Sequence, residues 1–212
     1  MRKIFLMMMF VLIAGLQSIC SAATIEAAHF NGEEKLTYPV VSTGDEAIDQ
    51  KINRKIQEEL MSFIKGMHYD AQYYDRKVID ARINYEVGSN QAGNTVILSI
   101  VMTESQYFEG AAHPATWKRA LNFNTSSGNR MGLHYLTEVG EGLREGYLLE
   151  RLEQKLHEKI EREGIYLFED ALPLKQLPEN FYWDENLHVH FIFQHYEVAP
   201  YAYGIIDVDI DA

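Results

Sequence analysis

Three clusters in the sequence hold residue types able to do chemistry. The first is Tyr107-Phe108-Glu109-Gly110-Ala111-Ala112-His113-Pro114. An acid and a histidine four residues apart can serve as a base and its partner, or as two metal ligands. Pro114 argues against a helix here, so the pair belongs to a loop with no third ligand nearby in sequence. The same small residues equally suit a tight connection between closely spaced strands. The second cluster is His188 and His190. Residues two apart on a strand share a face, so both imidazoles can point the same way, as in many metal sites. Spacing nominates no third ligand, and the alternative is the polar face of a half-buried strand. The third cluster is Gln194-His195-Tyr196-Glu197-Val198-Ala199-Pro200-Tyr201-Ala202-Tyr203-Gly204. Tyrosine offers a large contact area and a hydroxyl at low entropic cost, which suits recognition. An aromatic cluster covering a sheet end is the other reading.

These clusters need a scaffold, and the patterning supplies one. Leu36, Tyr38 and Val40 alternate in a strand over 34–41. Thr43 and Glu46 have the spacing of a capping box. Ile48, Ile52, Ile56, Leu60 and Ile64 then recur every fourth residue, which predicts an amphipathic helix over 45–66. Ile79, Ala81, Ile83, Tyr85 and Val87 alternate with polar residues, so 79–87 reads as a half-buried strand. Turn residues at 88–94 lead to a second strand at 95–103, and Trp117, Arg119, Leu121 and Phe123 mark a third. The order predicts an antiparallel meander. A second helix is expected over 143–163, with Leu149, Leu152, Leu156 and Ile160 inward and Gly164 at its end. Phe181–Trp183 and Leu187–Phe193 read as a hairpin about Asp184-Glu185-Asn186. Leu187, Val189, Phe191 and Phe193 form its core face. Ile206, Val208 and Ile210 make a last strand. Segregated strands and helices predict an α+β fold: antiparallel sheets with two amphipathic helices packed on them. A boundary is expected near residue 105, separating a smaller unit at 24–105 from a larger one at 106–212.

The chain has 212 residues. Arg2 and Lys3 precede an apolar run from Ile4 to Leu16, and Ser21-Ala22-Ala23 supplies small residues. This is the order of a signal peptide over 1–23, with cleavage after Ala22 or Ala23. The run is shorter than the ~20 residues that span a bilayer. Cys20 would be the lipidated residue of a lipoprotein, but the bulky Ile19 before it argues against that. Beyond the leader stand 17 Lys+Arg against 31 Asp+Glu, a balance of −14. Such a surface repels phosphate, so neither nucleic acid nor an anionic membrane is the expected partner. Cys20 is the only cysteine, so the mature chain has no thiol nucleophile or disulfide. No Gly-rich phosphate loop, G-x-S-x-G elbow or His-Glu-x-x-His motif occurs, and no cofactor is expected. Asn124-Thr125-Ser126 fits the glycosylation sequon.

The stretches YFEGAAHP at 107–114, LNFNTSSGNRMGLHYL at 121–136 and HFIFQHYEVAPYAYG at 190–204 together resemble the ectodomain family of the anti-sigma factor RsiV. The same domain precedes the catalytic domain in peptidoglycan deacetylases of the PdaC type. The resemblance spans roughly 34–212, and the first half is similar to the smaller domain that sits in front. It implies an extracytoplasmic α+β domain, which in the anti-sigma members senses lysozyme by binding it. Only three residues precede the apolar run, and the chain stops at Ala212. A stand-alone exported version is therefore expected, without a sigma-binding segment or a deacetylase domain.

Two functions follow as expectations. One is a non-catalytic envelope module that binds a cationic protein such as lysozyme, or a wall glycan. Tyr107, Glu109, His113, Tyr196, Glu197, Tyr201 and Tyr203 would form its contact, and the acidic surface would steer a cationic partner. The other is a small hydrolase or metal-dependent enzyme built on Glu109, His113 and Glu197. Convergence of those three groups to hydrogen-bond reach separates the readings.

Overall fold

The computed structural model describes residues 22–91, 96–137 and 145–212. Most of the expected leader, part of the turn expected at 88–94 and the first residues of the helix expected over 143–163 lie outside the described residues. The elements run β1 (Thr24–His29), β2 (Thr37–Ser42), α1 (Glu46–Tyr73), β3 (Val78–Asn90), β4 (Ile97–Phe108), β5 (Ala115–Asn124), α2 (His134–Thr137), α3 (Glu145–Glu163), β6 (Phe181–Trp183), β7 (Val189–Phe193) and β8 (Ile206–Asp209). All three sheets are antiparallel: β1-β2, β3-β4-β5 and β6-β7-β8. The class is α+β, as the patterning predicts.

Helix α1 buries Ile52, Ile56, Leu60 and Ile64, the expected stripe, and extends it through Phe63 and Met67. It runs past Gly66 to Tyr73 because packing outweighs the roughly 1 kcal/mol that an interior glycine costs. Its start differs from the expected capping box. Asp45 is the N-cap and accepts from the amides of Ala47 and Ile48. Asp49, not Glu46, reaches back to the amide and hydroxyl of Thr43, each at 2.6 Å. Strand β2 departs in part: Leu36 and Tyr38 pack half-buried against the core, as the alternation predicts, but the burial then changes phase. Pro39 and Val41 are buried while Val40 is exposed. Asn53 on α1 brackets Val41, its Oδ1 accepting from Val41 N at 2.8 Å and its Nδ2 donating to Val41 O at 2.7 Å.

Strand β3 keeps Ile83 in the core at 1% exposure, but Ile79 and Val87 stand out at 50% and 41%. Register shifts between Val78 and Asp80, and between Val87 and Asn90, break the alternation at both ends. Strand β4 lies between β3 and β5 and outlasts the expected 95–103. Ser105 pairs with Arg82 on one side and Thr116 on the other, so the sheet runs through the expected boundary near 105. Leu98, Ile100 and Met102 face α1 together with Leu121 and Phe123.

The opposite face of this sheet carries the second half of the chain. Val101 and Ala120 pack on Ile192. The side of β7 where alternation predicted a polar face is therefore buried at Ile192 and half-buried at His190. Its other face, with Phe191 and Phe193, joins Phe181, Val208 and the α3 residues Leu148, Leu152 and Leu156. Gly164 closes α3 at φ 65°, and Ile165 N donates to Ile160 O at 3.0 Å, as the sequence predicts. The two halves meet through polar groups as well. Ser99 donates to Asn122, Asn122 donates to Phe181 O, and Trp183 N donates to Ser99, at 2.7–3.1 Å. Gly88 makes the approach possible: a Cβ there would overlap the Trp183 carbonyl oxygen and the Tyr182 ring. Asn124 of the sequon is committed locally, its side-chain oxygen accepting from the amides of Ser126 and Ser127.

Candidate functional site

The first and third sequence clusters meet. Strand β4 delivers Tyr107 and the turn after it, and the segment following β7 delivers His195 to Tyr203. The Tyr201 ring lies between two imidazoles, 3.6 Å from His113 and 4.1 Å from His195 between centroids, both stacked. Its hydroxyl donates to Pro114 O at 2.9 Å, tying the two loops together. Tyr107 donates from its hydroxyl to Ala111 O at 3.2 Å and so braces its own turn. Tyr196 packs at 5.8 Å from Tyr201, adopts φ 65°, and is 59% exposed. A non-glycine residue held in that backbone region carries strain and signals a position fixed by its surroundings. Burial lowers the pKa of His195, and the neighbouring His113 adds to the effect.

Other nominated residues have different tasks. Glu197 Oε2 accepts from Gln194 N at 2.6 Å, which holds the turn. Gln194 in turn closes the edge of β5: its Oε1 accepts from Lys118 N at 3.1 Å and its Nε2 donates to Lys118 O at 2.8 Å. Asn180 completes this edge by accepting from Ala120 N and donating to Lys118 O. His113 directs Nδ1 at Pro114 O, 3.0 Å away. Glu109 is exposed, and its backbone amide donates to Lys77 O. Tyr203 lies apart from this stack, beside Tyr166 at 6.4 Å. Among the described residues no hydrogen bond joins Glu109, His113 and Glu197, the trio that the hydrolase reading requires. A cleft of about 420 Å³ lies at the Gln194–Glu197 turn, lined by Arg119, Pro173, Leu174, Asn180, Gln194 and Glu197 among others.

His188 and His190 do share a side of the third sheet. His188 Nδ1 donates to Asp209 Oδ2 at 3.1 Å, and His190 Nδ1 donates to Asp207 Oδ1 at 2.8 Å. Tyr182 donates to the other oxygen of Asp207 at 2.9 Å. Burial works against the charged form of His190, but the bond to Asp207 and the charges of Asp207, Asp209 and Asp184 outweigh it and raise its pKa. Burial, then the charge of Asp207, raise the Tyr182 phenol above its ordinary range. Among the described residues no group of three or more His, Cys, Asp or Glu side chains has metal-holding geometry.

Two features escaped the sequence reading. Tyr69, Tyr73 and Tyr74 form an exposed aromatic group at the end of α1, with centroids 5.8 and 4.9 Å apart. The run Tyr69 to Tyr74 at helical spacing is the signal that would have found it. Glu104 is the other. It is 3% exposed on the α1 face of β4, and its Oε1 has no hydrogen-bond partner in the protein. Burial, with the charge of Glu59 added and that of Arg119 opposed, pushes its carboxyl up to about 8.

The molecule is thus a two-part α+β module whose parts are locked by amide side chains and by one tyrosine held between two histidines. Residues 30–116 match the family model described as deacetylase PdaC, and residues 141–212 match that of a protein of unknown function, DUF3298. The two matches lie in succession along the chain, consistent with a PdaC-type region followed by a DUF3298 region. A DUF3298 family protein from Pseudomonas aeruginosa is similar in structure, with TM-score 0.56 and 15% identity over 89% of this chain and 87% of that one. A DUF3298 family member from Bacteroides fragilis gives TM-score 0.53 and 18% identity over 88% and 87%. At those identities the likeness concerns the fold. No curated protein matches the chain.

Proposed function

We propose that this chain is an exported, non-catalytic binding module of the cell envelope, acting after removal of its leader. Its partner is a cationic protein of the lysozyme kind. The observation that carries the reading is the stack itself. Two loops distant in sequence are fastened through Tyr201, and the fastening turns Tyr196 outward on a strained backbone. Rigid aromatic anchors of this sort dominate specific interfaces. The titratable groups around it are spent on bracing: Glu197 holds the Gln194 amide and His113 stacks on Tyr201. The balance of −14 beyond the leader favours fast encounter with a cationic partner, although exposed charges are screened beyond ~8 Å at physiological salt. A wall glycan, stacking its sugar rings on the same aromatic surface, is the alternative ligand.

Calorimetry of the mature chain with lysozyme, at about 150 mM salt, tests the reading. Tyr196→Ala leaves the Tyr201 hydroxyl bond and both histidine stacks in place and is expected to cost roughly 1–2 kcal/mol of binding with little change in unfolding. Tyr201→Ala removes the clamp, so both binding and stability fall. Absence of heat at high concentrations of both proteins, or binding indifferent to Tyr196→Ala, overturns the proposal.

A further inference from the structure

We propose that the cleft between α1, β4 and β5 is a binding site for a primary alkylammonium group, the terminal part of a lysine side chain or a free amine of similar size. The cleft has a volume of about 190 Å³ and is lined by Glu59 and Asp70 from α1, Glu104 and Gln106 from β4, and Trp117 and Arg119 from β5. Its size fits a short alkylamine and excludes a folded segment. Phe63 and Met67 add apolar wall for methylene groups.

An ammonium carries three donors and no acceptor, and it is drawn to carboxylates and to the face of a tryptophan. This cleft is lined by three carboxyl groups and by Trp117. Three acids line it against one cation, so an anion is repelled. Glu104 is the second, independent mark of a ligand. Its side chain is 4% exposed and Oε1 is unpartnered, so an acceptor stands already stripped of water. Arg119 does not satisfy it. Its Nε lies 3.9 Å from Glu104 Oε2 and 3.7 Å from Glu59 Oε1, beyond good hydrogen-bond distance. Asp70 accepts from Gln106 at 3.2 Å, which orients it along the same wall. The site includes none of the stacked histidines and tyrosines, so its failure and that of the lysozyme reading are separable.

Binding carries its own signature. Glu59 and Asp70 from α1 and Arg119 from β5 line the cleft with Glu104, and the charge of Glu59 also acts on Arg130. With its carboxyl at about 8, Glu104 is roughly nine-tenths protonated at neutral pH. A cation arriving beside it favours the carboxylate, and close to one proton leaves per ligand bound.

The test is calorimetry of the mature chain with n-butylamine, and separately with Nα-acetyl-lysine methylamide, at neutral pH in two buffers of different protonation heat. Expected are dissociation constants on the order of 1 mM and a buffer-dependent heat matching release of nearly one proton. Tighter butylamine points to a free amine, and tighter lysine amide to a side chain. Glu104→Gln is expected to abolish the proton release and to weaken binding at least tenfold. Gly66→Leu provides a variant that leaves every charge in place. Gly66 lines the cleft in the middle of α1, and a Cβ there meets nothing within 4 Å. The leucine is expected to fill the space, preserve the helix and block both amines. No heat from either amine overturns the proposal, as does binding that releases no proton or that persists in Gly66→Leu.

Discussion

Replacing Glu104 with glutamine should make the protein more stable, and by an amount that grows with pH. In the unfolded chain this carboxyl loses its proton near 4.5, whereas in the fold it holds it up to about 8. Between those values the folded state binds more protons, so stability falls as pH rises and levels off above about 8. At ~1.4 kcal/mol per pH unit, the loss reaches about 3 kcal/mol by neutral pH and roughly 5 kcal/mol above pH 8. Against a typical total of 5–15 kcal/mol, that is a large fraction. Glutamine has similar shape and no proton to lose. The gap between variant and wild type should be near zero at pH 4.5 and widen to several kcal/mol by about pH 9. Urea denaturation of both proteins across that range measures it. Subtracting one curve from the other removes every contribution the two proteins share. Parallel curves, or a gap that narrows with pH, would refute the account of Glu104 as a carboxyl kept neutral by burial.

Gly88→Ala forces a methyl against the Trp183 carbonyl and should cost about 3 kcal/mol, seen as a lower urea midpoint. Asn90 holds both backbone groups of Ala23, at 2.9 and 2.8 Å. A chain starting at Ala23 should therefore be about 1–2 kcal/mol more stable than one starting at Thr24, and Asn90→Ala should erase the difference in denaturation. His190 has its pKa raised, so its stabilising share is complete below about 6.5 and lost as pH climbs through the folded value. Asp207→Asn should consequently cost more at pH 5.5 than at 8.5 or so, and an NMR titration should show the His190 pKa falling.

The scaffold was legible where burial was one-sided and regular. Ile52, Ile56, Leu60 and Ile64 repeat every fourth residue because one face of α1 meets one sheet. The meander followed from alternation in β3 and β5, and the end of α3 from Gly164. Legibility failed where tertiary contacts overrode local pattern. Bulges turned Ile79 and Val87 outward, and a second sheet buried Ile192 on the side that alternation marked as polar. Of the site, Tyr196, Tyr201 and His113 were nominated together and do meet. Glu197 and Tyr107, nominated with them, hold the loops on which the others stand. Glu104 was invisible because Thr103-Glu104-Ser105 reads as polar surface. The α1 residues Glu59, Phe63, Met67 and Asp70 share its cleft.

Carboxamides recur at backbone groups along the sheet edges: Asn53 on Val41, Asn90 on Ala23, Asn180 on Ala120 and Lys118. Each uses its oxygen to accept and its nitrogen to donate, a pairing that depends on having both. Deamidation would convert one such side chain to an aspartate, which accepts only. The donor facing a backbone carbonyl becomes a second oxygen, and attraction turns to repulsion with no change of size. The fold thus carries a chemical clock at its seams. A chain can age at Asn53, Asn90 or Asn180 without proteolysis or oxidation, and the first sign would be an opened edge, not a damaged core.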